Sequence, residues 1–428
     1  MILAIFVGLL VVLFVVGIPA AFALGLTTLI VTVVERGFGA IPYTIIAQRM
    51  VYGVNSFPLL AIPFFILAGR IMNTGGITDR IFDFSHRLVG HWRGGLGQVN
   101  IAASIIFSGM SGSAVADAMG IGQIEIRAMR QSKYPDDFSV AVTAASATIG
   151  PVIPPSIPLI IYAVIANVSA TALLIAGILP GLLMGGLMMV VVAIQARRRN
   201  LPTERWQGWE ALWRSFIRAL LPLLAPAIII GGMWTGVFTP TEAAAVAAVY
   251  AIVITMLVYR ELDARQLFDM VRLTMRDTAV VLIIVAAAAL YAWFLVFAQI
   301  PQTLVTGIRG LDLDPFTILL ALNLFLLVVG LFMETNAAIT VFTPMLLPAA
   351  VAAGVDPVHF GIIMILNLMI GLLTPPVGMV LFAVAKVAEL PLNAVVRAIV
   401  PFYLPLFIAL MLVTYVPQIS LFLPSLFR

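Results

Sequence analysis

No cysteine occurs anywhere in the chain, which excludes a disulfide framework, cysteine-ligated zinc, iron–sulfur clusters and cysteine nucleophiles together. Charge is almost as scarce. Asp, Glu, Lys and Arg make up 10% of the 428 residues against 62% hydrophobic ones, too little polar surface to cover a water-soluble fold. The chain therefore reads as an integral membrane protein. The apolar/polar alternation of barrel strands is missing, so the spans are helices and the fold is all-α and polytopic. Only Lys133 and Lys386 are lysines, so the formal charge of +4 rests on arginine and reports membrane orientation more than any nucleic-acid partner. There is no Gly-x4-Gly-Lys-Ser/Thr loop, hence no P-loop hydrolysis of ATP. The three histidines, His86, His91 and His359, are too scattered for a metal site. The first apolar segment has no basic region before it and no clear cleavage site, and reads as a retained membrane helix.

What the chain does have is a pattern that occurs twice. Gly150-Pro-Val-Ile-Pro154-Pro155 and Gly371-Leu-Leu-Thr-Pro375-Pro376 lie 221 positions apart, and Pro19 and Pro240 share that separation. Each Pro-Pro pair interrupts a strongly apolar stretch. A helix broken at membrane depth exposes backbone groups that lipid cannot satisfy, so breaks survive only where protein, water or a bound ion supplies partners. Paired breaks at corresponding places in two halves point to a transporter's binding site.

Apolar runs at about 2–16, 19–34, 56–75, 139–168, 170–195, 219–236, 240–258, 278–298, 359–387 and 398–416 are predicted spans. Two further stretches, 95–126 and 315–348, are apolar on both sides of a small polar centre, Ser108 to Ser113 in one and Met333 to Asn336 in the other. Their arms look short for crossing alone, so each reads as a re-entrant hairpin. The stretches 37–55 and 259–277 interleave Arg with apolar residues and suit helices along the membrane surface. If the two hairpins enter from opposite faces, 18 of the 23 Lys and Arg fall on the cytoplasmic side and four outside. That bias predicts two inverted-topology repeats, 1–200 and 201–428, joined near Arg197–Arg199 and Pro202, with both chain ends outside the cytoplasm.

Several polar residues fall at membrane depth. Ser108, Ser111 and Ser113 flank Gly109 and Gly112, and hydroxyls with exposed carbonyls suit a hard cation such as sodium. The alternative is small-residue helix packing. Asp117 either caps a half-helix N-terminus or tunes the site electrostatically. Glu334, Thr335 and Asn336 hold the matching position in the second half, followed by Thr340 and Thr343. A carboxylate there is costly unless functional or bonded to hairpin backbone, whereas Thr335 and Asn336 can contact a cation or an organic carboxylate. Thr148, Ile149, Gly150 and Ile153 border the first break, and Gly371, Leu372 and Thr374 the second. Half-helix C-termini expose carbonyls for cations and N-termini suit carboxylates. Glu242 in Thr239-Pro240-Thr241-Glu242 reads most simply as part of a helix cap. Arg70 snorkels or pairs, while Asn55, Asn73 and Asn367 read as bonds to neighbouring helices.

Four ordered motifs carry a family resemblance that covers nearly the whole chain: Ser111-Gly112-Ser113-Ala-Val-Ala-Asp117, Gly150-Pro-Val-Ile-Pro154-Pro155-Ser156, Thr239-Pro240-Thr241-Glu242-Ala and Gly371-Leu-Leu-Thr374-Pro375-Pro376-Val-Gly378. They resemble the large, DctM-like membrane subunit of tripartite ATP-independent periplasmic (TRAP) transporters. The resemblance implies an elevator-type fold of the ion transporter superfamily, with a mobile part near 80–168 and 300–390 sliding against a scaffold. It implies sodium-coupled, ATP-independent import of an organic anion, such as a C4-dicarboxylate or a sialic acid, across a bacterial or archaeal inner membrane. Two partners are implied, a periplasmic substrate-binding protein and a small four-helix membrane subunit, the latter a separate chain because no fused segment is seen. Carried onto this sequence, one sodium site would involve Ser108, Ser111, Gly112, Ser113, Thr148 and Gly150. The other would involve Glu334, Thr335, Asn336, Gly371, Leu372 and Thr374, with substrate contacts at Ser111, Ser113, Pro155, Asn336, Thr340 and Pro376.

The runner-up is a related sodium/dicarboxylate-type symporter that needs no binding protein. An intramembrane serine hydrolase is disfavoured because neither hairpin contains a histidine to act as base. An ion channel fits paired closed hairpins poorly.

Overall fold

The computed structural model describes residues 2–37, 41–74, 76–310 and 314–426, and among them the regular elements are helices without a strand. In the first half α1 (Ile2–Val15), α2 (Ala20–Arg36) and α3 (Tyr43–Val54) lead through a 3-10 turn at Phe57–Leu60 into α4 (Ala61–Thr74) and α5 (Ile77–Val89). Next come α6 (Leu96–Ser111), α7 (Ala114–Met119), α8 (Ile121–Gln131), α9 (Asp136–Ala147), α10 (Ile157–Ala166), α11 (Ala170–Ala176) and α12 (Ile178–Arg199). The second half opens with α13 (Trp209–Trp234), α14 (Pro240–Val253) with a π turn at Ile254–Val258, α15 (Ala264–Phe297) and α16 (Ile300–Gly310). It closes with α17 (Pro315–Phe332), α18 (Thr335–Ala352), α19 (Pro357–Gly371), α20 (Met379–Ala388), α21 (Leu392–Tyr415) and α22 (Gln418–Ser425). Seven of the described helical segments are long and apolar enough to cross a membrane, or eight if the pair Tyr43–Val54 and Phe57–Asn73, bent by 61°, counts as one span.

Both predicted breaks are present. The first helix stops at Ala147 and resumes at Ile157, and the second stops at Gly371 and resumes at Met379. At 1.5 Å per residue, half-helices of 10 to 15 residues reach about 15–22 Å, short of the ~30 Å hydrocarbon core. They are tolerated because they lie inside the protein. α9 is buried from Phe138 to Ala147 and α19 from Val358 to Gly371, as expected of helices apolar on every side. Turn bonds and side chains satisfy the interrupted backbone. Ser156 caps α10 and also donates to the carbonyl of Pro151, while the Tyr403 hydroxyl donates to the carbonyl of Leu373 at 2.7 Å.

A buried polar tie joins the first arm of each hairpin to the broken helix behind it. In the first half the Asn100 amide donates to Thr143 Oγ1 at 2.7 Å and Ser146 Oγ donates to Asn100 Oδ1 at 2.6 Å. In the second, Asn367 donates to Asn323 Oδ1 at 2.7 Å, and Asn323 donates onward to Thr414 on α21 at 3.1 Å. Ser146 and Asn367 are 221 positions apart, so the broken-helix end of the tie shares the spacing of the breaks. The expectation that Asn367 bonds a neighbouring helix holds.

Four features differ from the sequence reading. The predicted surface connector 259–277 is not a separate arm, because residues from Ala264 onward run unbroken into the span as one 34-residue helix. No proline or glycine interrupts that stretch, and an Asp263–Gln266 capping box starts it well before the apolar run begins. Only the first connector forms its own helix, α3, which has no buried residue. The outgoing arm of the first hairpin is split at Gly120 into α7 and α8. Each arm of the second hairpin has 18 residues and enough apolar character to cross, contrary to the expectation that the arms are short. Helices α5, α16 and α22, of 13, 11 and 8 residues, were not foreseen as separate elements and are too short to be spans.

Asn367→Ala is expected to cost about 1–2 kcal/mol, because it strands the Asn323 carbonyl inside the protein. Pairing it with Asn323→Ala should cost less than the two changes summed. Unfolding in detergent, read as a double-mutant cycle, checks both; strict additivity would mean the two amides do not interact.

Candidate functional site

The site is built on two helix interruptions of two residues each. Gly112 and Ser113 separate α6 from α7, and Met333 and Glu334 separate α17 from α18. These pairs are also 221 positions apart. Gly112 takes φ +61°, which a side chain would resist, and Ser113 is extended and caps α7 by accepting from the Ala116 amide at 3.4 Å. In the second half Glu334 does the capping. One carboxylate oxygen accepts from the Ala337 amide at 3.1 Å, and the other accepts from Nδ2 of Asn336 at 2.9 Å. The backbone-bonded alternative for Glu334 is thus what the structure displays.

Each interruption packs against the break of its own half through glycine. A methyl group on Gly112 would lie 2.7 Å from the carbonyl oxygen of Pro155, and one on Gly371 would lie 2.5 Å from the backbone of Gly330 in α17. Gly150 is faced by the Asp117 carboxylate, with no room for a side chain between them. The cap reading of Asp117 is therefore corrected. Ser113 caps α7, and Asp117, one turn on and buried, sits against the first break.

Both tips open onto one cavity of about 780 Å³, within the range that takes small organic ligands. Gly112, Ser113, Glu334, Thr335, Asn336 and Leu372 line it, so six of the candidate residues meet there. Thr335 Oγ1 and Asn336 Oδ1 are buried and lack a hydrogen-bond partner among the described residues. The others stand back. Ser108, Thr148, Thr340 and Thr374 are hydrogen-bonded to carbonyls three or four residues earlier, at 2.6 to 2.8 Å, and do not line the cavity. Gly150 and Gly371 lie behind the wall as packing points. Pro155 is buried under Gly112 and Pro376 is exposed, and neither lines the cavity. Instead Pro151 and Pro158 reach it from the first break, and Met369 and Met379 from the second. The side chain of Ser111 lies outside the described residues.

The far wall was not anticipated as part of the site. It comes from α2, α4 and α15 and includes Arg70, Asn73 and Asp277. Arg70 and Asp277 form an ion pair across α4 and α15, so the pairing option for Arg70 holds. A cation inside an apolar span was the available signal. Asp277 was hidden because 259–277 reads as a surface connector. Away from the cavity, Thr239 and Glu242 form the expected reciprocal cap, and Thr241 donates to the carbonyl of Phe57 at 3.1 Å.

Comparison with known proteins gives a consistent answer. The family model described as the DctM component of the tripartite ATP-independent periplasmic transporter matches residues 7–419. The chain is 45% identical over 411 residues to the sialic acid TRAP transporter large permease protein SiaM of Vibrio cholerae serotype O1, covering 96% of each chain. It is 40% identical over 369 residues to the C4-dicarboxylate TRAP transporter large permease protein DctM of Pseudomonas aeruginosa, covering 86% of each. In fold it is similar to the crystal structure of the Alcanivorax borkumensis YdaH transporter, with a TM-score of 0.67 at 14% sequence identity over 95% of this chain and 98% of that one.

Gly371→Ala forces α19 away from α17 and is expected to destabilise by about 1–3 kcal/mol. Gly186→Ala on α12, where a methyl group would meet nothing within 4 Å, is the control and should be near neutral. Melting in detergent compares them; equal melting temperatures would remove the close-packing account of the second break.

Proposed function

The chain belongs to the DctM-component family of tripartite ATP-independent periplasmic transporters, and from that membership we propose sodium-coupled import of an organic anion through the cavity between the two interruptions. The family is one of transport proteins and not of enzymes, and the chain is a multi-pass membrane protein. The observation that carries the finer reading is the meeting of both tips, at one sequence spacing, on a single ligand-sized cavity.

In this reading sodium binds first. Carbonyls freed near Gly112 and the first break hold one ion, and those near Asn336 and the second break hold another. Ser108, Thr148 and Thr374 donate their hydroxyl protons backwards along their helices, which leaves oxygen lone pairs for a cation. Thr335 and Asn336, each with a buried unpartnered oxygen, supply further ligands to ion or anion. The ions neutralise the tips, and the anion then fills the gap. The loaded part, near 80–168 and 300–390, moves past a scaffold formed by the remainder, with the halves 1–200 and 201–428 inverted in the membrane. Coupling requires the empty and fully loaded states to move more readily than a partly loaded one.

The substrate class proposed is a carboxylate of the kind named for the relatives, a sialic acid or a C4-dicarboxylate. A periplasmic binding protein would deliver it, a small membrane subunit would complete the complex, and the site of action would be the cytoplasmic membrane.

Reconstitution into liposomes with a small subunit and a binding protein tests the reading. Uptake of sialic acid or succinate should need an inward sodium gradient and the binding protein; uptake indifferent to the binding protein would favour a self-sufficient symporter. Asn336→Ala and Ser113→Ala are expected to lower transport and flatten its sodium dependence while the protein still folds, and wild-type sodium dependence in both would remove the tips as ion ligands. The cysteine-free chain also permits a topology test, in which cysteines introduced at positions 87 and 309 should label from opposite faces.

A further inference from the structure

An organic anion entering the cavity needs a source of positive potential. The N-terminus of α18 already holds an anion, because the Glu334 carboxylate accepts from its first-turn amide. α7 is a six-residue helix whose cap is filled by Ser113. Among the described residues lining the cavity the charged side chains are Arg70, Asp277 and Glu334, so Arg70 is the only cation there. Its partner Asp277 lies on the same wall. With side-chain exposures of 32% and 46%, Arg70 and Asp277 are both reachable by a solute in the cavity and are not a sealed structural pair.

We infer that Arg70 is the carboxylate-contacting residue of the cavity and that Asp277 is a built-in competitor for it. Guanidinium presents five donors in a flat fork that matches a carboxylate through two parallel bonds. Asp277 engages the Nη2 end, so an incoming carboxylate competes with it for the guanidinium. Before the anion arrives, Asp277 keeps Arg70 neutralised and limits capture of small inorganic anions. Glu334, on the tip side, disfavours an anion that lacks a cation beside it. Arg70 and Asp277 sit on α4 and α15, outside the two interrupted hairpins. The inference rests on the reading that the cavity takes an organic anion.

The test is concentration-dependent uptake of succinate and of sialic acid by proteoliposomes carrying wild type, Arg70→Gln, Arg70→Lys or Asp277→Asn, each with a small subunit and a binding protein. Arg70→Gln should raise the half-saturating concentration about tenfold or more, with the maximal rate changed less. Arg70→Lys, which keeps the charge and loses the fork, should fall between. Asp277→Asn should lower half-saturation about threefold or more, since the competitor is gone. A purely structural pair predicts that both partners' variants lose activity together. Opposite shifts for positions 70 and 277 support the inference, whereas loss in Asp277→Asn or wild-type half-saturation in Arg70→Gln overturns it. If Arg70→Gln does not fold, Arg70→Lys and Asp277→Asn decide by the same criterion. A wild type that transports while its variants are unchanged removes the role of the pair alone. A wild type that takes up neither anion brings down the transport reading and this inference with it.

Discussion

Backbone interrupted within an apolar protein must find partners without water, and the whole arrangement depends on how that is done. At both breaks turn bonds and side-chain donors supply the partners, and glycine lets the neighbouring element come close. Gly112 lies against the Pro155 carbonyl and Gly371 against Gly330, so each hairpin and the break behind it form one packed unit. Amide ties at Asn100 and at Asn323–Asn367 hold the same elements together a few turns away. Among the buried side-chain oxygens without a partner within the described residues, those of Thr335 and Asn336 belong to residues that line the cavity.

The cavity has two kinds of wall. One is made of interruptions, with carbonyls, a cap carboxylate and small side chains; the other is made of intact helices, α4 and α15, that present an ion pair. Under the proposed function, oxygen-rich tips suit cations and a guanidinium fork suits a carboxylate. The family assignment agrees with this division without specifying it.

Much of this was legible in the sequence because the breaking residues are chemically unmistakable. Two Pro-Pro pairs at one spacing mark the breaks, and the polar centres between apolar arms mark the tips to within a residue or two. Glu242 and Asn367 behave as local rules of capping and interhelical bonding require. What the sequence left open or hid has equally physical reasons. A threonine or serine in a helix satisfies its own hydroxyl against a preceding carbonyl, so Ser108, Thr148, Thr340 and Thr374 look identical in sequence whether or not they reach a ligand. Pro155 and Pro376 mark where the chain bends, not what faces inward. Arg70 was visible as a charge in a span, but its partner was not, since helix continuity across 264–297 depends on the absence of any breaker and not on a positive signal. Gly109 and Gly330 share the separation of Gly150 and Gly371, a pairing that could have marked the crossing of hairpin and break.

The continuous α15 has a mechanical corollary. At 1.5 Å per residue its 34 residues make a rod of about 51 Å, longer than the ~30 Å hydrocarbon thickness and in contact with α2, α3, α4 and α18. Its counterpart in the first half is an elbow, articulated by 61° between α3 and α4. Stretches at one sequence spacing thus yield a continuous helix in one half and a bent pair in the other. The frame around the cavity is therefore unequal in shape, unbroken along α15 and angled at residues 55–56.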